Sequence, residues 1–402
     1  MLKRELYLKK LEMYTGRDVC KIITGVRRSG KTTLIRQFID EIRETGVPEE
    51  NIIYINFEGL IYNYFTSTEA LRDMLVEFVH GTSGHCYIFL DEAEGIEGWA
   101  KACAEMMNLF DCDVYVSSSN SSLFYEGFQK DLGYRYVKID VYPLIFSEFV
   151  ELAALIPELS EKGPEELFDI YLRRGAFPAV YFMEEEAAGS WLRDLYGSII
   201  LKDVVQCNRL RDTSHIDKIS GYIMQNLGEI YSPKGLRDFI KDQGITISVD
   251  TVYSVLDALC GSGLVYRVPR YDIKNDKELE TQEKYYVCDA ALLNAVLGGE
   301  EAKRRCVMEN VLYTELLTRG FKVYIGKQGR YNIDFMAVKS EDRTYLNCCE
   351  YLNSNEAIRT EFNPLVKIRD NYFKMVLSMD EETKVNKGGI INFPLIKFLL
   401  EG

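Results

Sequence analysis

Residues 25–32 read Gly25-Val26-Arg27-Arg28-Ser29-Gly30-Lys31-Thr32, which is the pattern G-x-x-x-x-G-K-[ST]. A short run rich in β-branched residues, 19–24, precedes this stretch, and residues 33–42 repeat apolar positions at helical spacing. The order is therefore strand, loop, helix, which is the setting in which the pattern binds phosphate. It predicts an α/β fold built around a phosphate-binding loop, whereas an ordinary Gly-rich turn is the alternative.

The loop is expected to hold a nucleoside triphosphate with Mg²⁺. Its glycines let successive N–H groups point inward, and the helix that follows offers its free N–H groups and positive dipole end to the same anion. Lys31 should reach the β- and γ-phosphates, and the hydroxyl of Thr32 should complete the coordination of Mg²⁺. The residues assigned to nucleotide binding here are Gly25, Arg27, Arg28, Ser29, Gly30, Lys31, Thr32 and Thr33.

A second motif lies at residues 86–92, where an apolar strand ends in two carboxylates. Ligands bind at the carboxyl ends of buried parallel strands, so the pattern is typical of a Walker B element. Asp91 is expected to hold Mg²⁺, directly or through water, and Glu92 to orient or deprotonate the attacking water. A surface turn that begins with two acids is the other interpretation.

Two more strands complete the predicted sheet. Residues 114–116 run into a Ser/Asn-rich turn, in which Ser119 and Asn120 could sense the γ-phosphate or could simply form the turn. Residues 52–58 form another strand that ends in polar groups. The expected architecture is a five-stranded parallel α/β sheet.

These residues resemble a large group of archaeal and bacterial AAA+ ATPases, which are similar to the STAND-type NTPases and carry a C-terminal domain related to restriction endonucleases. The resemblance spans nearly the whole chain. The segments that carry it are the loop at 25–33, the strand end at 90–92, the turn at 119–121 and Val141-Tyr142-Pro143-Leu144-Ile145-Phe146-Ser147-Glu148-Phe149. It implies an ATPase whose nucleotide is ATP, with Lys31, Glu92 and Asn120 as catalytic residues.

The resemblance also implies two further site residues. Arg135 stands where the family has a basic residue before the Tyr-Pro-Leu strand, although here the neighbouring glycine is displaced to Gly133. It is a candidate arginine finger acting in trans, or a phosphate sensor; a solvated arginine is the alternative. Pro178 matches the lid proline that contacts the nucleotide base, whereas Gly175 followed by Phe-Pro also fits an ordinary helix stop.

Composition limits the other classes of function. The chain has 402 residues, of which 47% are hydrophobic and 27% charged, so a globular protein with two or three cores is expected. None of the ten cysteines forms a C-x-x-C pair, and Cys20, Cys86 and Cys288 fall in apolar runs, which predicts reduced core thiols and no zinc site. The N-terminus is charged and no apolar run approaches membrane-spanning length, so we expect a cytoplasmic protein without a membrane partner.

The second half of the chain predicts interaction domains. We expect an ATPase core at 1–150, a helical lid at 151–205, a winged helix at 206–298 and a nuclease-like α/β domain at 299–402. The second helix of the winged-helix pattern carries Asp250 and Asp257 and no basic residue, and the net charge of −14 also repels DNA. This favours a role in protein interaction, or in coupling within the chain, over DNA binding. The basic residues of the wing nevertheless leave phosphate contact open; they are Arg267, Arg270, Lys274 and Lys277.

The last domain resembles the PD-(D/E)XK nuclease core without its full set of residues. Glu309 and Asp334 fit the first two acidic positions, but Asn347 and Cys349 replace the acid and the lysine of the third strand. Nuclease activity is therefore not expected. The leading hypothesis is a Mg²⁺-dependent ATPase acting as a nucleotide-driven switch, as a monomer or a homo-oligomer. The alternatives are a DNA-processing ATPase and a nucleotide-responsive scaffold with little hydrolysis.

Overall fold

The protein divides into two compact units in a computed structural model. The N-terminal unit comprises Met1–Tyr142 with Gly261–Gly263, and the C-terminal unit comprises Pro143–Cys260 with Leu264–Gly402. The structure describes residues 2–58, 67–120, 124, 127–208, 213–297, 303–382 and 385–401. Ser121, the last residue of the Ser/Asn-rich turn in the family resemblance, lies outside these ranges.

The N-terminal unit alternates strands and helices. Its elements are α1 (Glu5–Met13), β1 (Cys20–Thr24), α2 (Lys31–Glu44), β2 (Ile52–Asn56), α3 (Thr68–Val79), β3 (Cys86–Asp91), α4 (Trp99–Leu109), β4 (Cys112–Ser118), α5 (Phe128–Asp131) and β5 (Tyr136–Asp140). The strands form one sheet in the order β2-β3-β4-β1-β5, and every pairing is parallel. The predicted five-stranded parallel sheet is confirmed.

Both faces of this sheet are buried. Since successive strand residues point to opposite sides, each strand contributes side chains to two cores. Ile22 packs into a core with α3 and α4, whereas the next residue, Ile23, packs into a core with α1 and α2. The same alternation places Leu90 in the first core and Phe89 in the second. The sheet is therefore covered by helices on both sides, and functional side chains are left to the strand ends.

The C-terminal unit combines helices with a larger sheet. Its elements are α6 (Phe146–Ala153), α7 (Pro164–Arg174), α8 (Glu185–Ser198), a π-helix (Ile199–Gln206), α9 (Thr213–Gln225), β6 (Ile230–Tyr231), α10 (Pro233–Asp242), α11 (Val249–Gly261), β7 (Val265–Asp272), β8 (Lys277–Val287), α12 (Ala290–Leu297), α13 (Arg304–Thr318), β9 (Lys322–Gln328), β10 (Tyr331–Lys339), β11 (Asp342–Cys348), α14 (Asn355–Val366), β12 (Phe373–Ser378), β13 (Asn386–Lys387), β14 (Ile390–Pro394) and α15 (Leu395–Leu400).

One continuous sheet runs through this unit. Its nine strands lie in the order β13-β14-β12-β11-β10-β9-β7-β8-β6, with β7 parallel to β9. The strands expected of a winged helix and those expected of a nuclease-like domain are thus hydrogen-bonded neighbours. This sheet runs across the boundary predicted at residue 299, and the division into four domains stays a prediction.

Two further findings concern composition. The cysteines predicted to be core thiols, Cys20, Cys86 and Cys288, are buried and free. Among the residues that the structure describes, no helix is both long and apolar enough to span a bilayer.

Candidate active site

The phosphate-binding loop connects the carboxyl end of β1 to the first turn of α2. Gly25 lies so close to the backbone of Val141 that an added Cβ would be 2.1 Å from its carbonyl oxygen. Gly30 has φ 103° and precedes α2 without a side-chain cap. Both positions require glycine, since a side chain would clash at residue 25 and would be strained at residue 30.

The loop offers donors without partners to an anion. The first N–H groups of a helix have no partner within the helix, and the N-cap residue here, Gly30, has no side chain that could cap them. The hydroxyl of Ser29 is buried and makes no hydrogen bond among the described residues. Unpartnered donors at a helix N-terminus fit a phosphate, and they supply the structural evidence that the loop can hold a nucleotide.

Lys31 begins α2 and extends back across the loop. Its ammonium is buried, and it lies 3.0 Å from the carbonyl oxygen of Gly25 and 2.9 Å from the hydroxyl of Ser119. The same nitrogen lies 3.3 Å from a carboxylate oxygen of Glu92. The structure thus brings the loop, the end of β3 and the end of β4 together at one cation.

Asp91, the last residue of β3, is held from both neighbouring strands. The hydroxyl of Tyr54 donates to its Oδ2 at 2.9 Å, and the amide of Asn56 donates to the same oxygen at 3.1 Å. On the other side, the hydroxyl of Ser117 donates to Oδ1. Burial raises the pKa of Tyr54, which keeps this hydroxyl protonated as a donor. The carboxylate of Asp91 therefore has a fixed orientation.

Glu92 leaves the strand in the left-handed conformation, with φ 55°. Its backbone N–H donates to the hydroxyl of Ser117 at 3.0 Å, and the hydroxyl of Ser119 donates to its carboxylate at 2.7 Å. A left-handed non-glycine residue at a strand end is costly and is often found at functional sites. This conformation turns the side chain of Glu92 toward Lys31, away from the direction of the strand.

The other loop residues occupy different surroundings. Thr32 and Thr33 lie half-buried in the first turn of α2, where Thr32 can present its hydroxyl to a metal ion. Arg27 forms an ion pair with Glu58 at 2.9 Å, and Arg28 is exposed with φ 68°. The assignments of all four to nucleotide binding stay predictions.

The turn after β4 contributes through Ser119. The buried residue Asn120 donates its backbone N–H to the hydroxyl of Ser118 at 3.2 Å. Of the two proposed γ-phosphate sensors, Ser119 is the one whose contacts with Lys31 and Glu92 are described above. The catalytic assignment of Asn120 stays a prediction.

Arg135 lies near the amino-terminal ends of β1 and β5, away from the phosphate-binding loop. It precedes β5, whose first residue pairs with Cys20 at the start of β1, so about 13 Å of strand separates it from the loop. Its guanidinium donates to Asp18 at 2.6 Å and to Asn108 at 2.7 Å. This position corrects the assignment of Arg135 as a phosphate sensor within its own chain, and its action on a neighbouring subunit stays a prediction.

Pro178 belongs to the C-terminal unit, where it begins a 3₁₀-helix at Pro178–Phe182. Just before it, α7 ends at Arg174 and Gly175 has φ 87°, so the helix stop expected at this point is confirmed. Contact between Pro178 and a nucleotide base stays a prediction.

Three contributors to the site were missed by sequence reasoning. Tyr54 and Ser117 lie inside strands, and only the alternation of strand side chains, which puts Tyr54 on the same face as Asn56, could have indicated the first. Arg4, which contacts the loop from the segment before α1, has no motif around it.

The acidic residues of the nuclease-like segment surround an arginine. The guanidinium of Arg305 donates to Glu309 at 3.1 Å, to Asp334 at 3.1 Å and to Glu361 at 2.6 Å. Burial raises the pKa of Asp334, against the opposing charge of Arg305. Asn347, at the third acidic position, accepts the backbone N–H of Asp334 at 3.0 Å. One cation of the same unit thus pairs with all three acids, and Lys284 also pairs with Glu309 at 3.0 Å.

The fold and the site together define the class of protein. A parallel five-stranded sheet with the phosphate-binding loop after its β1 strand, and with paired carboxylates at the end of β3, is the P-loop AAA+ fold.

Comparisons with known proteins agree with this class. Residues 18–150 match the family described as AAA domain, and residues 165–303 match a family described as a domain of unknown function. An uncharacterized protein of Haemophilus influenzae is 29% identical over 401 residues, which cover 100% of this chain and 99% of that protein. An uncharacterized protein of Methanocaldococcus jannaschii is 24% identical over 377 residues, which cover 89% of this chain and 80% of that protein.

One solved structure supports the fold. The Walker-type ATPase PABY2304 of Pyrococcus abyssi superposes with a TM-score of 0.54 at 16% identity. The match covers 74% of this chain and 96% of that one. At this identity the similarity concerns the fold alone.

Proposed function

We propose that the protein is an ATP-binding, Mg²⁺-dependent ATPase of AAA+/STAND type that acts as a nucleotide-driven switch. The observation that carries the proposal is the meeting of Lys31, Glu92 and Ser119 beside a loop with unpartnered donors. Phosphoryl transfer needs positioned charges and donors more than covalent chemistry, and these groups are of the required kind.

The residues act in distinct roles in this proposal. The N–H groups of the loop and the hydroxyl of Ser29 bind phosphate oxygens, and Lys31 compensates their charge. Glu92 orients the attacking water and accepts its proton. Thr32 and Asp91 fit a bound Mg²⁺, which would neutralise charge on the phosphates. Hydrogen bonds from Tyr54, Asn56 and Ser117 keep the carboxylate of Asp91 in one orientation.

We further propose that the C-terminal unit carries the response to the nucleotide. Residues 151–205, which include α7 and α8, would serve as the lid, residues 206–298 as a winged helix, and residues 299–402 as an inactive nuclease-like domain. Because Arg305 forms ion pairs with Glu309, Asp334 and Glu361, the acids that a metal ion would need are already paired, and this last part suits an interaction role better than metal-dependent hydrolysis.

Contacts in the winged-helix segment favour a protein partner over DNA. Arg267 is paired with Asp257 at 2.8 Å and lies 3.5 Å from Glu283. Arg270 is buried and donates to Gln282 and to Asn332. Two of the basic residues that left phosphate contact open are therefore engaged within the protein.

Binding and turnover of ATP test the proposal. Lys31→Ala should abolish ATP binding, because it removes the cation at the phosphates. Glu92→Gln should bind ATP but release phosphate at least about 100-fold more slowly, since the general base is lost. Equilibrium titration with ATP and steady-state phosphate release, each with Mg²⁺, measure the two effects.

The control is Glu97→Gln, which changes an exposed carboxylate of the same segment and should leave both measurements unchanged. Undiminished phosphate release by the Glu92→Gln protein would contradict the role of Glu92. A wild-type protein that binds ATP without measurable turnover would be a nucleotide-responsive scaffold instead.

A further inference from the structure

Arg4 is buried and connects two distant parts of the N-terminal unit. One nitrogen of its guanidinium donates to the carbonyl oxygen of Ser29 at 3.1 Å, within the phosphate-binding loop. Another donates to the carbonyl oxygen of Tyr142, also at 3.1 Å. The planar fork of an arginine can make both hydrogen bonds at once, whereas a lysine ammonium cannot reproduce this geometry.

The neighbours of Arg4 keep its side chain in place. The guanidinium lies 4.6 Å from the centre of the Tyr7 ring, and its own backbone N–H donates to Gln37 of α2 at 3.2 Å. The hydroxyl of Tyr7 in turn accepts the backbone N–H of Tyr142 at 3.2 Å. Arg4 and Tyr7 therefore hold residue 142 from the same side.

The loop and the segment after β5 also touch directly. The backbone N–H of Val141 donates to the carbonyl oxygen of Thr24 at 2.6 Å, and Gly25 fits against the carbonyl oxygen of Val141. The structure thus ties both ends of the loop to residues 141–142. Tyr142 is the last residue of this part of the N-terminal unit, and the next residue, Pro143, begins the C-terminal unit.

We propose that Arg4 is a positioning residue that transmits nucleotide occupancy from the phosphate-binding loop to residues 141–142, where the chain enters the C-terminal unit. The inference rests on the proposed function. A ligand that draws the N–H groups of the loop toward its phosphates also fixes the carbonyl of Ser29, and Arg4 joins that carbonyl to the carbonyl of Tyr142. Coupling of this kind requires that the ligand favour one arrangement of the connected groups.

Amide hydrogen exchange of Val141 and Tyr142 tests the proposal in the full-length protein. A non-hydrolysable ATP analogue with Mg²⁺ should slow this exchange in the wild-type protein. Arg4→Lys should keep the affinity for the analogue within about threefold while losing the slowing. Arg4→Met should lose the slowing and also bind the analogue about tenfold more weakly, because a charged hydrogen bond to the loop is removed. Lys9→Met, an exposed change on α1, is the control and should behave as wild type.

The outcomes separate the two proposals. If the analogue slows amide exchange of Val141 and Tyr142 in both Arg4 variants as much as in the wild-type protein, the role of Arg4 is overturned. The ATPase proposal then stays intact. A wild-type protein that does not bind the analogue would overturn both. A merely structural role would lower the unfolding midpoint equally with and without the analogue and leave the nucleotide-dependent change in exchange intact. If Arg4→Met does not fold, Arg4→Lys alone decides, since it keeps the charge.

Discussion

The carbonyl oxygen of Val141 leaves no room for a side chain at residue 25. In Gly25→Ala the new methyl group would lie 2.1 Å from that oxygen and 2.8 Å from the hydroxyl of Ser29, so the loop must shift. We expect the free energy of unfolding to fall by about 1–3 kcal/mol, as overpacked sites do, and ATP affinity to fall at the same time. Urea unfolding and ATP titration measure the two effects.

Gly46→Ala is the matched control for this change. Gly46 also has positive φ, 88°, but nothing lies within 4 Å of an added Cβ. The substitution should therefore add backbone strain while leaving ATP affinity unchanged. Equal loss of ATP affinity in the two variants would refute the explanation by close contact.

The residues of the site differ in how well sequence reveals them. Gly25, Lys31 and Asp91 belong to motifs whose spacing is fixed by the ligand, so their grouping could be predicted. Tyr54 and Arg4 act because the fold buries a polar group beside a distant partner, and a single sequence does not show which polar residues are buried. The family resemblance made Arg135 a candidate arginine finger or phosphate sensor, but a resemblance carries no distance, and Arg135 precedes β5 at the end of the strand away from the loop.

Among the elements, α7 and α12 of the C-terminal unit are joined by one buried carboxylate. Asp289 accepts the backbone N–H of Ala176 at 2.8 Å, just after α7, and that of Ala291 at 2.9 Å, in the first turn of α12. Gly175 leaves space for it, since an added Cβ there would lie 2.4 Å from the carboxylate. The turn predicted as a helix stop thus also anchors the start of α12.

Asp289 should give the unfolding free energy a definite pH dependence. Burial raises its pKa from 3.8 to about 6, so the folded protein binds this proton more tightly than the unfolded chain. The tighter binding of this proton stabilises the folded protein by at most about 3 kcal/mol. This contribution is complete below about pH 4 and is lost as the pH rises through about 6. The difference in unfolding free energy between wild type and Asp289→Asn, measured with urea at pH 4.5 and 7, should therefore be larger at pH 4.5.

Asp289→Asn should also be less stable than wild type at both pH values, by about 1–3 kcal/mol, because an amide cannot accept a hydrogen bond at both ends. A difference that does not change with pH, or that grows toward pH 7, would show that Asp289 is ionised in the folded protein throughout this range.

At the scale of the whole molecule, the C-terminal unit is organised by long-range pairing. Strand β7 pairs with β9, and Lys284 of β8 forms a buried ion pair at 3.0 Å with Glu309 of α13. The second helix of the winged-helix pattern, observed as α11, was predictable from local periodicity. Pairing between segments some 50 residues apart was not, because a parallel pairing leaves no local signal.

Separate fragments ending at residue 298 and beginning at residue 299 should therefore fail to fold independently. The first exposes the edge of β7, and the second exposes the edge of β9 and loses the ion pair between Lys284 and Glu309. Solubility and cooperative urea unfolding of fragment 143–298, of fragment 299–402 and of the two expressed together measure this. Cooperative unfolding of either fragment alone would contradict it.

The surroundings of Lys31 determine what a measured ATP affinity means. An ammonium has three protons, and Lys31 already donates to the carbonyl oxygens of Gly25 and Val26 and to the hydroxyl of Ser119. Its nitrogen also forms an ion pair with Glu92 at 3.3 Å. A phosphate group therefore replaces existing partners of this cation and does not meet a bare charge. The observed dissociation constant reports an exchange of partners, so it understates the direct attraction between Lys31 and the nucleotide by the strength of the contacts given up.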